Sequence, residues 1–185
     1  MSTQIGSGTS LAGLVAAKRG SRVVLADKFT SQSRDLLVRN VTDNECRISD
    51  CWSPDPLVDT VPAVRLMALT WGDVGPDVSS LPLLDFVLAS DCFYDESDFE
   101  DIIVTIAYLL KEKGHENSCC LTSYQLRNSE WNISCLMHRY GLEGNEVPLQ
   151  HFEATSHQLL GSKLPGFHTI SLFRLKLKSN PVEPV

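Results

Sequence analysis

The sequence predicts an α/β fold in which helices cover both faces of a mostly parallel, doubly wound sheet. Short apolar runs alternate with segments of helical periodicity, and the run at 84–90 is apolar almost throughout, as in a central strand buried on both faces. Two glycines, Gly6 and Gly8, directly precede the first helical segment, as is common in this fold. The 185 residues suit one domain, expected at 1–178 with an irregular insertion at about 46–62 and a tail at 179–185.

The first part of the chain predicts two helices around a short buried strand. Thr9–Arg19 has helical periodicity and is followed by Gly20, a favourable residue after a helix end. Arg22–Asp27 is an apolar run that ends in a carboxylate, which indicates a buried strand. Ser31–Asn44 predicts a weaker helix. Each helix has an expected shared face, formed by Leu11, Leu14, Val15 and Lys18 in the first and by Leu36, Leu37, Asn40 and Val41 in the second.

The rest of the chain continues the alternation of strands and helices. Strands are predicted at Val64–Thr70, Leu84–Ser90, Ser118–Tyr124 and Ile170–Lys178, the last of them antiparallel and near an edge because its apolar residues alternate with polar ones. Helices are predicted at Ser97–Lys113 and Ser129–Tyr140. For the former, Ser97 and Glu100 predict a capping box. Its apolar stripe comprises Phe99, Ile102, Ile103, Ile106, Leu109 and Leu110.

The segment before the glycine pair predicts an unusually short first strand. A doubly wound sheet needs a strand that leads into the glycine loop, and here only Ser2–Ile5 is available. We therefore expect this strand to be clipped and the neighbouring strands to lose hydrogen-bond partners. On this basis the chain would be a shortened form or an incomplete gene model.

Composition narrows the function classes. With 16 basic and 23 acidic residues the net charge is −7, which argues against direct nucleic-acid binding and would suit a basic peptide. Apolar runs are too short to span a bilayer, so no membrane association is expected. Six scattered cysteines favour a reducing compartment. Cys135 and His138 resemble half a metal site, but no second half follows, and no bound metal is expected.

The glycine loop and the next strand end predict a nucleotide-type cofactor site. In Gly6-Ser7-Gly8 the two glycines allow a tight turn and a close approach of backbone to a ligand. Asp27 follows 21 positions after Gly6, where a carboxylate can accept both hydroxyls of a ribose. Leu11 replaces the third glycine of the dinucleotide fingerprint, which disfavours a nicotinamide-dependent dehydrogenase. The alternatives are a purely structural turn and a helix cap.

Two further strand ends carry candidate residues. Trp71, in the segment LTWGD, could lie flat against an adenine, or could be a core residue at a turn. Asp91 and Tyr94, with Asp95 and Glu96 beside them, could hold and desolvate a basic side chain at the end of the strand that closes with Ser90. Alternatively, Asp95 and Glu96 merely favour the N-terminus of the following helix.

Together these motifs resemble class I, seven-β-strand methyltransferases, and more narrowly the methyltransferase-16 family of protein methyltransferases. The resemblance covers roughly residues 5–177 and rests on QIGSG at 4–8, Asp27, LTWG at 69–72 and DCFY at 91–94. It implies a Rossmann-like sheet and S-adenosyl-L-methionine as cofactor. Cofactor binding is then expected from Gly6, Ser7, Gly8, Asp27, Trp71 and Ser90, and catalysis from Asp91 and Tyr94. Gln4 departs from the family, which usually has an acidic residue there.

The resemblance also implies a substrate. The family as a whole implies a protein lysine, whereas the member that the chain resembles most implies histone arginine, on a basic tail, in nucleus and cytoplasm. Arginine stays protonated at ordinary pH, so its site needs carboxylates, and Asp91 with Asp95 or Glu96 could supply a pair. A monomer is expected. The alternative is a non-catalytic interaction protein that has a methyltransferase fold.

Overall fold

The computed structural model describes residues 1–49, 62–125, 127–128, 130–152 and 170–178. Over these residues the strands form one eight-stranded sheet in the order β3-β4-β2-β1-β5-β6-β8-β7. The strands are β1 (Ser2–Ile5), β2 (Val23–Asp27), β3 (Arg47–Ile48), β4 (Ala63–Ala68), β5 (Phe86–Ser90), β6 (Cys119–Gln125), β7 (Leu142–Val147) and β8 (Ile170–Leu177). The helices are α1 (Leu11–Lys18), α2 (Ser31–Asp43), α3 (Pro76–Ser79), α4 (Phe99–Glu112) and α5 (Ser134–Arg139), with 3₁₀ turns at Glu96–Asp98 and Leu149–Phe152.

The topology confirms the predicted α/β class and creates a crevice in the middle of the sheet. From β1 the sheet extends through β2, β4 and β3 on one side, and through β5, β6, β8 and β7 on the other. Strands β1 to β6 pair in parallel, and β8 is antiparallel to both of its neighbours. The winding reverses between β1 and β5, and ligands of such sheets bind beyond the carboxyl ends of the strands at that point.

The first strand is short, as expected, and it pairs with a neighbour on each side. Its four residues are buried, and it lies at the centre of the sheet. Ser2 to Gln4 pair with β2, and Ser2 to Ile5 pair with β5, up to the register match of Ile5 with Ala89. The expectation that the neighbouring strands lose their partners is therefore wrong over these residues, because four residues suffice for both ladders.

The helices confirm one predicted apolar face and correct another. All six residues of the apolar stripe of α4 are buried. In α1, Leu14 is buried but Leu11 and Val15 are 71% and 52% exposed, so the predicted face is wrong. The buried side of α1 consists of Gly13, Leu14 and Ala17, because small residues let the helix lie close to the sheet. In α2, Leu37 and Val41 are buried, while Leu36 is largely exposed.

The start of α4 differs from the predicted capping box. Asp95 accepts hydrogen bonds from the backbone N–H and the hydroxyl of Ser97, at 3.0 and 2.8 Å, and thereby caps the 3₁₀ turn that precedes the helix. Glu100 accepts instead from Arg139 and Tyr140. The turn begins at Glu96, so Asp95 occupies its N-cap position and accepts from Ser97, the second residue of the turn.

The carboxyl-terminal half contains elements that the sequence pattern did not reveal. Strand β7 has one buried residue, Leu142, so it lacks the apolar alternation of a typical strand. It forms the edge beside β8, which has the predicted antiparallel direction.

Helix α5 is shorter than predicted, and Ser129 lies outside the described residues. Strand β3 lies at the start of the insertion predicted at about 46–62. Residues 50–61 of that insertion and the predicted tail at 179–185 lie outside the described residues. No helix among the described residues is long and apolar enough to cross a membrane.

Candidate functional site

The glycine loop after β1 lies at the crevice and contacts the loop after β4. Gly6 and Gly8 have φ values of 52° and 47°, in the left-handed region that favours glycine. A Cβ atom on Gly6 would lie 2.7 Å from Cζ2 of Trp71 and 3.0 Å from Sγ of Cys92. Only a glycine fits this contact, which places the indole directly against the loop.

Gln4 supports the glycine loop from beneath. Its side chain is 2% exposed. Its Oε1 accepts from the backbone N–H of Gly13 at 2.7 Å, and its Nε2 donates to the carbonyl of Ser7 at 3.4 Å. A neutral amide can both donate and accept, whereas an ionised carboxylate only accepts. The departure from the family pattern therefore retains a support for the loop, and it adds no buried charge.

Asp27 holds the other side of the same loop. Its Oδ2 accepts from the backbone N–H of Gly8 at 2.7 Å and from the hydroxyl of Ser7 at 3.5 Å. Its own carbonyl accepts from the N–H of Leu69 at 2.9 Å, which fixes the end of β2 to the end of β4. A carboxylate has about four acceptor sites, so at least two remain available for further donors.

A cavity of about 250 Å³ lies between these loops. It brings together four of the eight residues predicted for the site: Gly6, Asp27, Trp71 and Tyr94. Ser7, Gly8, Ser90 and Asp91 do not line it, although Ser7 and Gly8 contact Asp27. Five further residues line it, namely Lys28, Leu69, Thr70, Asp98 and Asp101. The spacing of Asp98 and Asp101, three apart on the polar side of the predicted helix, was the available signal for the last two.

Trp71 and Tyr94 form the aromatic wall of the cavity. Their ring centroids are 6.2 Å apart and the rings are tilted by 59°. Tyr94 is 52% exposed. Partial burial raises the pKa of its phenol, and the carboxylate of Asp98 raises it further, so the hydroxyl is neutral at ordinary pH and can donate a hydrogen bond.

Asp91 lies beside the cavity in an unusual backbone conformation. Its φ is 55°, which non-glycine residues rarely adopt. Its N–H donates to the carbonyl of Ser123 at 3.0 Å and to the hydroxyl of the same residue at 3.1 Å. Two parallel hydrogen bonds join its carboxylate to Arg127: Nη1 to Oδ1 at 2.8 Å, and Nη2 to Oδ2 at 2.5 Å. This pairing raises the pKa of the Arg127 guanidinium.

Neither Asp95 nor Glu96, the two carboxylates expected beside Asp91, forms the predicted pair with it. Asp95 points its carboxylate at Ser97, and these hydrogen bonds lower its pKa. Glu96 is exposed in the 3₁₀ turn. The alternative that Asp95 favours the N-terminus of the helix is the one that the structure confirms.

Two buried groups complete the surroundings of the loop. Cys92 is buried, its thiol donates to the carbonyl of Ile5 at 3.6 Å, and burial raises its pKa to about 12, so it is a neutral structural residue. Among the described residues, Ser10 carries the one buried side-chain oxygen without a hydrogen-bond partner. It lies directly before α1, where backbone N–H groups favour a negative ligand. No cluster of three His, Cys, Asp or Glu side chains suited to a metal ion occurs in the described part of the chain.

Several known sequences that resemble this chain are protein methyltransferases by name. A family model described as lysine methyltransferase matches residues 3–133. The chain is 36% identical to "Histone-arginine methyltransferase METTL23" of Xenopus laevis over 174 residues. The matched region covers 94% of this chain and 68% of that protein. It is 33% identical to the Homo sapiens protein of the same name over 171 residues, 91% of this chain and 80% of that one. It is 31% identical to "Protein N-lysine methyltransferase METTL21A" of Xenopus tropicalis over 124 residues, 67% of this chain and 48% of that protein.

Solved structures share the fold. A TehB-like SAM-dependent methyltransferase from Corynebacterium glutamicum has a TM-score of 0.59 at 13% identity, covering 96% of this chain and 79% of that one. The magnesium protoporphyrin IX methyltransferase of Synechocystis, solved with bound SAM, has a TM-score of 0.56 at 11% identity, covering 95% and 69%. These similarities confirm the Rossmann-like methyltransferase sheet that the motifs predicted.

Proposed function

Because the chain belongs to the methyltransferase-16 family and is an S-adenosylmethionine-dependent methyltransferase, we propose that it methylates a side-chain nitrogen of a protein, namely a histone arginine. The relatives named METTL23 are histone-arginine methyltransferases, and the relative METTL21A is an N-lysine methyltransferase. The higher identity and the longer match of the former favour arginine.

One observation carries the assignment of the site: a single cavity at the point where the sheet reverses is lined by residues at or just beyond the carboxyl ends of four strands, namely Gly6, Asp27, Trp71 and Tyr94. These residues fit the cofactor. Free acceptor sites on Asp27 suit two ribose hydroxyls, and the indole of Trp71 offers an apolar face to a flat base. A volume of about 250 Å³ is small for a whole ligand and suits the nucleoside part.

The remaining parts of the cofactor would lie over the glycine loop. There the left-handed glycines allow backbone to approach a ligand closely, and Ser10 has an unpaired hydroxyl near the N-terminus of α1. Ser90, exposed at the carboxyl end of β5, borders the same crevice. We assign Ser7 and Gly8 to the binding of the cofactor through their fixed position beside Asp27.

When bound, the cofactor supplies a sulfonium methyl group, and methyl transfer breaks the carbon–sulfur bond, forms a carbon–nitrogen bond and releases one proton from the acceptor nitrogen. The enzyme's main tasks are then to position the nitrogen in line and to exclude water. Tyr94, with its neutral phenol beside Trp71, orients the nitrogen. Asp91 binds the charged guanidinium, which keeps one positive charge before and after the transfer.

The acidic character of the chain suits a basic protein substrate. Its net charge is −7, and Asp98 and Asp101 add carboxylates to the cavity. We accordingly expect a histone-like tail as partner, a monomeric enzyme, no direct contact with nucleic acid, and a location in nucleus and cytoplasm.

A single set of measurements tests this function. The purified chain is melted alone, with S-adenosylmethionine and with NADH, because only a ligand of the native state raises the melting temperature. It is then incubated with core histones and labelled cofactor, and the methylated product is hydrolysed to separate methylarginine from methyllysine. Methyllysine alone would show that the chain methylates lysine, as the wider family implies, and would contradict the assignment of arginine. Cofactor binding without any methylated protein would contradict the proposal as a whole. Binding of neither ligand would favour a non-catalytic interaction protein.

A further inference from the structure

We propose that Thr105 of α4 is a positioning residue for the cofactor, because it holds the loop after β4 so that Trp71 forms the aromatic wall of the cavity. The inference rests on the proposed function, since it needs Trp71 to contact the cofactor. Thr105 does not line the cavity itself. It would act through the loop at 70–73, and it lies outside every motif that indicated the cofactor site.

Thr105 is a polar residue on the buried face of α4. It is 2% exposed, and the other buried residues of the helix are all apolar. A buried hydroxyl needs hydrogen-bond partners, because leaving it unpaired lowers the stability of the fold. Valine would suit this apolar face better than threonine, so the hydroxyl indicates a specific contact.

The hydroxyl of Thr105 joins two parts of the chain. It donates to the carbonyl of Asp101, one helical turn earlier, at 2.8 Å. Its oxygen accepts from the backbone N–H of Gly72 at 2.9 Å. A threonine hydroxyl has one donor and two acceptor positions, so both bonds form at the same time. Thr105 therefore fixes the loop after β4 to α4.

The loop at 70–73 needs this bond because of its own geometry. The N–H of Asp73 donates to the carbonyl of Thr70 at 3.1 Å, and Gly72 has a φ of 80°, as the third residue of a type II turn has. Such a turn uses the N–H of its fourth residue and leaves that of its third residue to find an acceptor elsewhere. Thr105 supplies this acceptor.

The contacts on both sides of Trp71 show what the bond positions. A Cβ atom on Gly72 would lie 2.6 Å from Oδ1 of Asp101, so the loop lies directly against α4. On the other side, a Cβ atom on Gly6 would lie 2.7 Å from Cζ2 of Trp71. The indole is thus held between the glycine loop and a backbone segment that Thr105 anchors. Without the anchor, the loop can move away from α4 and the indole from Gly6.

The test compares Thr105→Val with Thr105→Ser in the full chain. Valine keeps the branched shape but removes the acceptor, whereas serine keeps the hydroxyl and removes a methyl group. If Thr105 only stabilised the fold, the affinity for the cofactor would follow the melting temperature. Positioning predicts a different order: Thr105→Val should melt no earlier than Thr105→Ser and yet bind the cofactor more weakly.

Calorimetric titration with S-adenosylmethionine gives the size of the effect. For Thr105→Val we expect Kd to rise about three- to tenfold, which corresponds to the loss of one hydrogen bond. Thr105→Ser should bind like the wild type. Equal weakening by both variants, or none by Thr105→Val, would overturn the inference.

Thr42→Val is the matched control. Thr42 makes the same type of bond to a carbonyl four residues earlier, that of Val38, at 2.9 Å. It is exposed on α2 and does not line the cavity. Its substitution should leave Kd unchanged. A loss as large as that of Thr105→Val would show that the bond within the helix matters and the bond to Gly72 does not.

A double-mutant cycle shows whether Thr105 acts through Trp71. In the background of Trp71→Ala the indole is absent, so Thr105→Val should weaken cofactor binding no further. Losses that add in the double variant would mean that Thr105 supports the site by another route, and would contradict the inference.

The outcomes separate this inference from the proposed function. If the wild-type chain does not bind S-adenosylmethionine, the proposed function is wrong, and the role of Thr105 falls with it. If the wild type and Trp71→Ala bind equally well, the assignment of Trp71 is wrong, and so is the inference built on it. If Trp71→Ala weakens binding and Thr105→Val does not, only the inference is wrong.

Discussion

The two sides of the crevice differ in how their motif residues are held. On the side of β1, β2 and β4, Asp27 accepts from the backbone N–H of Gly8 in the glycine loop, and Gln4 accepts from the backbone N–H of Gly13 in α1. On the side of β5 and β6, the carboxylate of Asp91 bonds to the side chain of Arg127, while Asp95 accepts from both the backbone N–H and the hydroxyl of Ser97. In the proposed function the first side is the cofactor cradle and the second side is the acceptor side, where an ion pair between two side chains holds the carboxylate of Asp91.

The largest effect is expected on the side of the cofactor cradle, from Gly6→Ala. The new methyl group would clash with Trp71 at 2.7 Å, and the residue would have to keep a φ of 52°. We expect a loss of about 2–5 kcal/mol in the free energy of unfolding, from the left-handed backbone and overpacking together, and loss of cofactor binding. Urea unfolding and titration with S-adenosylmethionine measure both.

Gly20→Ala is the matched control for this change. Gly20 also has a positive φ, 88°, but nothing lies within 4 Å of an added Cβ. It should cost only the backbone strain, about 1–2 kcal/mol, and leave the affinity for the cofactor unchanged. Equal losses for both variants would show that the contact with Trp71 contributes nothing to the site.

The next effect concerns Asp27. Asp27→Ala removes the acceptor for the N–H of Gly8 and, in the proposed function, the acceptor for the ribose hydroxyls. Each hydrogen bond to a charged group contributes about 1.5–3 kcal/mol. Calorimetric titration should show at least about tenfold weaker binding of the cofactor. The melting temperature without cofactor should change little, since the N–H of Gly8 is exposed and water can replace the carboxylate. An unchanged dissociation constant would remove Asp27 from the site.

The same contrast explains what could be predicted from the sequence. The alternation of apolar runs gave the sheet, and the spacing from Gly6 to Asp27 gave the cradle, because both depend on local backbone geometry. The ion pair of Asp91 with Arg127 joins two strand ends that are distant in sequence, and no local pattern encodes it. Strand β7 was missed for a similar reason, since its place at the edge leaves one buried residue and no apolar alternation.

A smaller effect is expected from Trp71, which lines the cavity and contacts the glycine loop. Trp71→Phe retains a flat apolar face and should keep most of the affinity for the cofactor. Trp71→Ala should lose the aromatic interaction, about 0.5–1.5 kcal/mol beyond the buried area. The two dissociation constants decide the point. Normal binding by both variants, together with much earlier melting, would make Trp71 a core residue and leave the cradle without its aromatic wall.

The smallest effect is expected on the acceptor side, from Asp95→Asn. Asparagine caps a turn about as well as aspartate, so the variant should fold normally and keep kcat/KM for an arginine peptide at neutral pH. The hydrogen bonds from Ser97 lower the pKa of Asp95, so its charge favours the folded state above the ordinary aspartate pKa. This contribution is lost as pH falls through the lowered pKa. Urea unfolding between neutral pH and a pH of about 3 should therefore show that the free energy of unfolding falls less steeply with acid in the variant than in the wild type. If Asp95→Asn instead raises KM for the arginine peptide, this carboxylate does turn from Ser97 towards the acceptor. Asp91 and Asp95 would then form the carboxylate pair that the sequence predicted for the acceptor.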